Sequence, residues 1–232
     1  MKSFLTIIIL LSRFTTFSQT QIINSIPKSG LLLNSGWRFH AEDNPEFAKV
    51  YYHDSDWQSV DPTRDIHDMP ALWKNNIVWF RLHFTIADSI DNGIALIMQQ
   101  SGASEIYLNG NLIEHFGILN SKISEIKAYD PDNKPFYVAT SKSVVNILAV
   151  RYALEPGISY SVHINRQNPV FRIHINNLET AIETYRNSGI SVTTSNFFRT
   201  GVYFIFLILH VAFYLYYPKQ KANLYFSLYA LL

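Results

Sequence analysis

Residues 197–217, FFRTGVYFIFLILHVAFYLYY, form an apolar and aromatic run whose only Lys, Arg, Asp or Glu is Arg199, near its start. A helix rising about 1.5 Å per residue covers the roughly 30 Å hydrocarbon core of a bilayer over such a length. Backbone in lipid must satisfy its own hydrogen bonds, so this run is predicted to be a transmembrane helix. The polar segment 218–223, PKQKAN, carries Lys219 and Lys221 and no acid. After it comes LYFSLYALL, residues 224–232, which is too short to cross a bilayer. It is expected to be the start of a second, truncated span, with membrane lipid as a partner and self-association through the membrane helices as an expectation.

The first 18 residues place Lys2 ahead of the apolar run FLTIIILL and small or polar residues after it, the layout of a secretory signal peptide. An uncleaved anchor or a buried strand is the alternative. Export puts the residues that follow outside the membrane, so the span runs inward and 218–223 is a cytoplasmic loop. Its two lysines agree with the positive-inside rule.

Zero cysteine in 232 residues excludes disulfides, thiolate catalysis and cysteine metal sites. A net charge of +1 with 16% charged residues offers no basic stripe to neutralise phosphates, so no nucleic-acid partner is expected. The chain also lacks GxSxG, HExxH and P-loop patterns, and no enzyme activity or cofactor is predicted. Asp65, His67 and Asp68 form one oxygen-rich cluster, and Asp130, Asp132 and Asn133 another. Turn formation explains both without a metal.

Between Trp37 and Ile175 the apolar period is two. In VWFRLHFTI, Val78, Phe80, Leu82, Phe84 and Ile86 alternate with Trp79, Arg81, His83 and Thr85, the pattern of a half-buried strand. Further strands are predicted at 94–99, 105–108, 112–116, 144–152, 160–164 and 170–175. Asn109-Gly110 between two apolar runs predicts a type I′ hairpin. Many short strands without long alternating helices argue for an all-β antiparallel sandwich of the jelly-roll kind over 22–176. The period then changes: Leu178, Ile182 and Tyr185 share a helical face, and Asn177 is a candidate N-cap. A juxtamembrane connector helix over 177–196 follows, weakened by Gly189 and the run ISVTTS. His210 inside the span is expected to face other protein and to be a neutral, hydrogen-bonded residue.

Exposed aromatic rings flanked by polar groups are what a carbohydrate would need. Trp57, Trp73 and Trp79 are the candidates, with Arg81 beside them as a polar group on the same sheet.

The segments GWRFHAEDNPEFAKVYYHDSDWQSV, IVWFRLHF, SGASEIYLNGNLIEHFG and NILAVRY together resemble the galactose-binding-like jelly roll of family 2 glycoside hydrolases, over about residues 34–152. In those enzymes the module is non-catalytic. The whole layout, ending in YYPKQKANLYFSLYALL, resembles bacterial seven-transmembrane receptors with diverse intracellular signalling modules. That resemblance implies a bacterial inner-membrane location with a periplasmic domain sensing a small-molecule or carbohydrate ligand. It also implies a cytoplasmic histidine kinase, cyclase or phosphatase, which residues up to 232 do not contain. No ligand residues carry over, because the matched motifs look structural: Gly102 and Gly110 for turns, Trp37 and Phe80 for the core, Arg81 for a pairing at the sheet surface. The alternatives are an accessory sugar-binding domain of a membrane-anchored glycoside hydrolase and a membrane-tethered module that docks another protein.

Overall fold

The computed structural model describes residues 20–90, 93–160 and 167–231. The predicted signal peptide and residues 161–164 of the predicted strand 160–164 lie outside them. Residues up to Leu178 form one compact unit and residues from Glu179 a second.

The first unit is a sandwich of two sheets. The larger has seven strands: β1 (Gln21–Ile23), β3 (Trp37–His40), β4 (Gln58–Val60), β5 (Val78–Ile86), β7 (Ala103–Leu108), β8 (Asn111–Phe116) and β10 (Asn146–Ala153). Their order is β4-β3-β5-β10-β7-β8, with β1 pairing in parallel to the far end of β5. The smaller sheet has β2 (Leu31–Leu32), β6 (Ile94–Gln100), β9 (Pro135–Val138) and β11 (Phe171–Asn177), in the order β2-β11-β6-β9. All pairings between these strands except that of β1 with β5 are antiparallel.

The period-two apolar residues meet in the space between the sheets. Phe80, Leu82, Phe84, Leu148 and Val150 of the larger sheet pack in one buried cluster with Leu96, Met98, Phe171 and Ile173 of the smaller one. Burying a side chain of this size contributes roughly 1.5–3 kcal/mol, which supplies the drive for closing the sandwich. Trp37 sits edge-on to Phe171 and donates its indole N–H to the Leu33 carbonyl, so its one polar atom is satisfied inside the core. Leu108 faces Asn111 across a two-residue turn, where Asn109 and Gly110 both take positive φ, as the hairpin signal predicted.

The half-buried reading of β5 is corrected. Its second face is also covered, because residues 41–57 fold back over it and bury Phe47, Ala48 and Trp57 against Trp79 and Ala149. Arg81, on that face, is fully buried. Gly102 lies in the two-residue bend between β6 and β7, and a Cβ there would also lie 2.6 Å from the Tyr152 ring and hydroxyl, so close packing excludes a side chain as well.

In the second unit, helix α2 (Leu178–Tyr216) runs for 39 residues without interruption. The predicted weakening at Gly189 does not break it. A glycine costs a helix only about 1 kcal/mol, and turns already formed on both sides propagate through it. No residue separates the end of β11 from α2: Asn177 is the last residue of the strand and stands immediately before the first residue of the helix. α2 is long and apolar enough to cross a membrane. After a short turn, helix α3 (Lys221–Leu231) starts three residues before the predicted second span. His210 of α2 hydrogen-bonds through Nδ1 to Asn223 Oδ1 at 3.1 Å and stacks on Phe226, so the histidine does face protein.

Candidate functional site

The four predicted ligand residues form no surface site: Trp57, Trp79 and Arg81 gather beneath the loop 41–57, and Trp73 is not part of that cluster. Trp57 is 4% exposed and stacks on His40 with ring centroids 5.0 Å apart. Trp79 is fully buried and donates its indole N–H to Asp43 Oδ1. Neither offers a free ring face, so both are removed from the candidate site. Arg81 is removed for a different reason: its Nε donates to Asp54 Oδ2 at 2.9 Å, and its other nitrogens donate to the carbonyls of Phe47, Lys49 and Tyr52. It fastens the covering loop to the sheet rather than pairing at a surface. Burial pushes the Asp54 carboxyl up, but hydrogen bonds and charge from His83 and Arg81 outweigh this and hold it below the usual carboxylate range.

Trp73 alone of the four remains open, at 49% exposure. It lies in the single-turn helix α1 (Pro70–Lys74), and its indole N–H is anchored on the Ile66 carbonyl at 3.1 Å. Its ring meets those of His67 and Tyr160, with centroids 5.6 and 5.8 Å away. Backbone bonds hold this rim together: Ile66 N–H to Asn168 O, Val170 N–H to Arg64 O and Phe171 N–H to Pro62 O. Asp65 accepts from the backbone N–H groups of His67 and Asn168. These bonds, with the His67 ring, outweigh the upward push of burial and lower the Asp65 pKa.

Two clefts border the rim. The first, of about 620 Å³, has Phe39 and Met69 on its apolar side and Gln58, Arg64 and Asp68 among its polar lining. The second, of about 340 Å³, is lined by Gln99, Asp130, Ser159, Tyr160, Gln167 and Asn168, among others. Tyr160 joins this second cleft to the Trp73 ring. Asp130 Oδ1 accepts from the backbone N–H groups of Gln100 and Asp132. Desolvation, the largest influence on it, raises its pKa in spite of those two bonds. Gln167 accepts on Oε1 from Arg172 Nη2 at 2.7 Å.

Both oxygen-rich clusters serve turns. Asp65 caps the short helix Ile66–Asp68, while Asp132 and Asn133 take positive φ. Among the described residues no group of three or more His, Asp or Glu side chains is placed to hold a metal ion. The polar lining of the second cleft was missed from sequence because it comes from three distant segments around residues 99, 130 and 160–168. Only the Asp130 turn and the Tyr160 strand signal marked them.

No protein-family model matches the sequence, and no curated protein matches it. Among solved structures, a glycosyl hydrolase family 2 member from Bacteroides cellulosilyticus matches at a TM-score of 0.42 and 18% identity, over 63% of this chain and 20% of that one. A Bacteroides uniformis beta-glucuronidase matches at 0.43 and 15% identity, over 62% and 17%. A beta-glycosidase from Bacteroides vulgatus matches at 0.41 and 17%, over 64% and 20%. The chain thus spans a fifth or less of the length of these three proteins. At this distance the likeness says nothing about ligand or activity.

Proposed function

We propose that this chain is the ligand-sensing front end of a membrane signal-transduction receptor, with its sandwich outside the cell membrane and Lys219 and Lys221 on the cytoplasmic side. The observation that carries this reading is the junction at Asn177, where a core strand passes into the membrane-length helix with no linker. β11 begins next to Pro169 and Asn168, which line the second cleft, and pairs along its whole length with β6, which ends at Gln99 and Gln100 in that same lining. A ligand in the cleft therefore acts on one end of a strand pair whose other end feeds α2. Its influence on the membrane helices equals its difference in affinity for their two arrangements, about 1.4 kcal/mol for each tenfold change. The proposed activity is binding and transmission, with the chemical output on a further domain.

The absence of cysteine makes topology directly measurable. Ser188→Cys and Lys219→Cys place single thiols at an exposed position of α2 and in the turn after it. On intact spheroplasts an impermeant maleimide should label S188C at once and K219C only after lysis. Equal labelling of both, or the reverse order, refutes the proposed orientation.

A further inference from the structure

We propose that the first cleft binds a free α-amino acid with an apolar side chain, its carboxylate on Arg64, its ammonium on Asp68 and Asp61, and its side chain against Phe39 and Met69. This site is separate from the second cleft and goes beyond the sensing reading above.

Asp61, Arg64 and Asp68 are the charged groups among the described lining residues of the cleft. The Arg64 guanidinium and the Asp68 carboxylate make no hydrogen bond or ion pair with any described residue. Asp61 spends Oδ1 on the backbone N–H and the hydroxyl of Thr63, at 2.9 and 2.7 Å, and keeps Oδ2 for a further donor. Charges of opposite sign thus line one cleft without pairing across it. The backbone holds them apart: the Arg64 carbonyl accepts from the Val170 N–H at 3.2 Å, and the Asp68 N–H donates to the Asp65 carbonyl at 2.9 Å. Beside them lies apolar surface. Phe39 belongs to the main core, and Val60, Met69 and Ala71 pack against that core as its half-buried margin.

This combination selects among ligands. A simple anion would satisfy Arg64 but meet two repelling carboxylates, and a simple amine would leave the guanidinium without an acceptor. An α-amino acid carries two carboxylate oxygens for the guanidinium fork and three ammonium donors for the acids, on one carbon. Its side chain is then left for the apolar margin. A peptide divides the two charges between its ends, so the free amino acid fits and the peptide does not. At about 620 Å³ the cleft has room for a side chain as large as a benzyl group.

The test uses the full chain in dodecyl maltoside, whose headgroup is uncharged, titrated by calorimetry with L-leucine, L-methionine and L-phenylalanine. In parallel run 3-phenylpropanoate and phenethylamine, which each keep one of the two charges of phenylalanine, and the dipeptide L-phenylalanylglycine. At least one amino acid should bind, about tenfold or more tighter than any of these three. Arg64→Gln, which leaves the backbone bond to Val170 in place, should weaken amino-acid binding about tenfold or more, the range for a lost charged hydrogen bond. The double variant Asp61→Asn/Asp68→Asn, which keeps an oxygen at position 61 for Thr63, should do the same. Tryptophan fluorescence checks that each variant is folded. The proposal is overturned if none of the three amino acids binds, if a one-charge analogue or the dipeptide binds as tightly, or if either folded variant binds unchanged. None of these outcomes depends on membrane orientation, so the maleimide result and this one can fail separately.

Discussion

Replacing Arg81 by methionine keeps much of the side-chain volume and deletes the donors that tie Asp54 and the carbonyls of Phe47, Lys49 and Tyr52 to β5. Asp54, whose side chain is 4% exposed, would lose its guanidinium partner and retain the hydrogen bond to His83. The carbonyls of Phe47, Lys49 and Tyr52 would lose their shared donor. Stripping one partner from a buried ion pair costs about 3–5 kcal/mol, and each orphaned buried carbonyl about 1–3 kcal/mol where water does not reach it. These terms overlap, because the loosened loop admits water, so the expected loss is about 4 kcal/mol. That is a large part of the ~5–15 kcal/mol that stabilises a typical domain. Urea unfolding of the full chain in micelles reads it cleanly, since the four tryptophans, Trp37, Trp57, Trp73 and Trp79, all lie in the sandwich and leave the helices silent. With a slope of about 1–3 kcal/mol per molar urea, the midpoint should fall by at least ~1 M. The double variant Asp54→Leu/Arg81→Met should recover part of this, because no unpaired charge remains. A loss below about 1 kcal/mol in the single variant would refute the assignment of Arg81 as the fastener.

Gly102→Ala should cost about 1–3 kcal/mol in the same assay, because the new methyl meets the Tyr152 ring and the Ala153 carbonyl in a packed interior. Gly189→Ala has open space around it and should strengthen α2 by up to about 1 kcal/mol, seen as slower amide exchange near residue 189, whereas Gly189→Pro should open a kink there. Burial pushes the Asp43, Asp54 and Asp65 carboxyls up, yet hydrogen bonds and cationic partners hold all three below their ordinary range. Their stabilisation is therefore full above about pH 4 and drains away as pH falls through the lowered folded-state values, so the urea midpoint should drop below pH 4. A midpoint that is flat from pH 5 to pH 2 would contradict this.

The sequence disclosed the parts whose signal is local. Alternation marks β5 because Val78 to Ile86 is long enough to count, and Asn109-Gly110 marks a turn that depends only on those two residues. β1, β2, β4 and β9, with two to four residues each, are too short for a period to emerge, and they form only because a longer neighbour offers free hydrogen-bonding groups. Trp57 and Trp79 looked like surface rings for a related reason. Nothing within VWFRLHFTI shows that a loop some thirty residues upstream will lie over its polar side. Gly189 misled in the opposite direction, since local propensity there is outweighed by the turns that flank it. The second cleft assembles from three segments that no spacing rule connects, and Trp73 was not singled out from Trp57 and Trp79 because the short helix Pro70–Lys74 that leaves it exposed gives no periodic signal.

Asn177 ends a strand and Leu178 begins a helix, so no loop residue lies between the two elements, and the proposed transmission has a phase that can be tested. Deleting one residue between positions 186 and 196 turns every downstream side chain by about 100° and draws it in by about 1.5 Å. Deleting seven returns the heading to within about 20° while shortening the rod by roughly 10 Å. A stepwise deletion series would thus separate azimuth from depth: behaviour restored at the seventh step depends on which way the span faces, and behaviour that decays steadily depends on how far it is sunk.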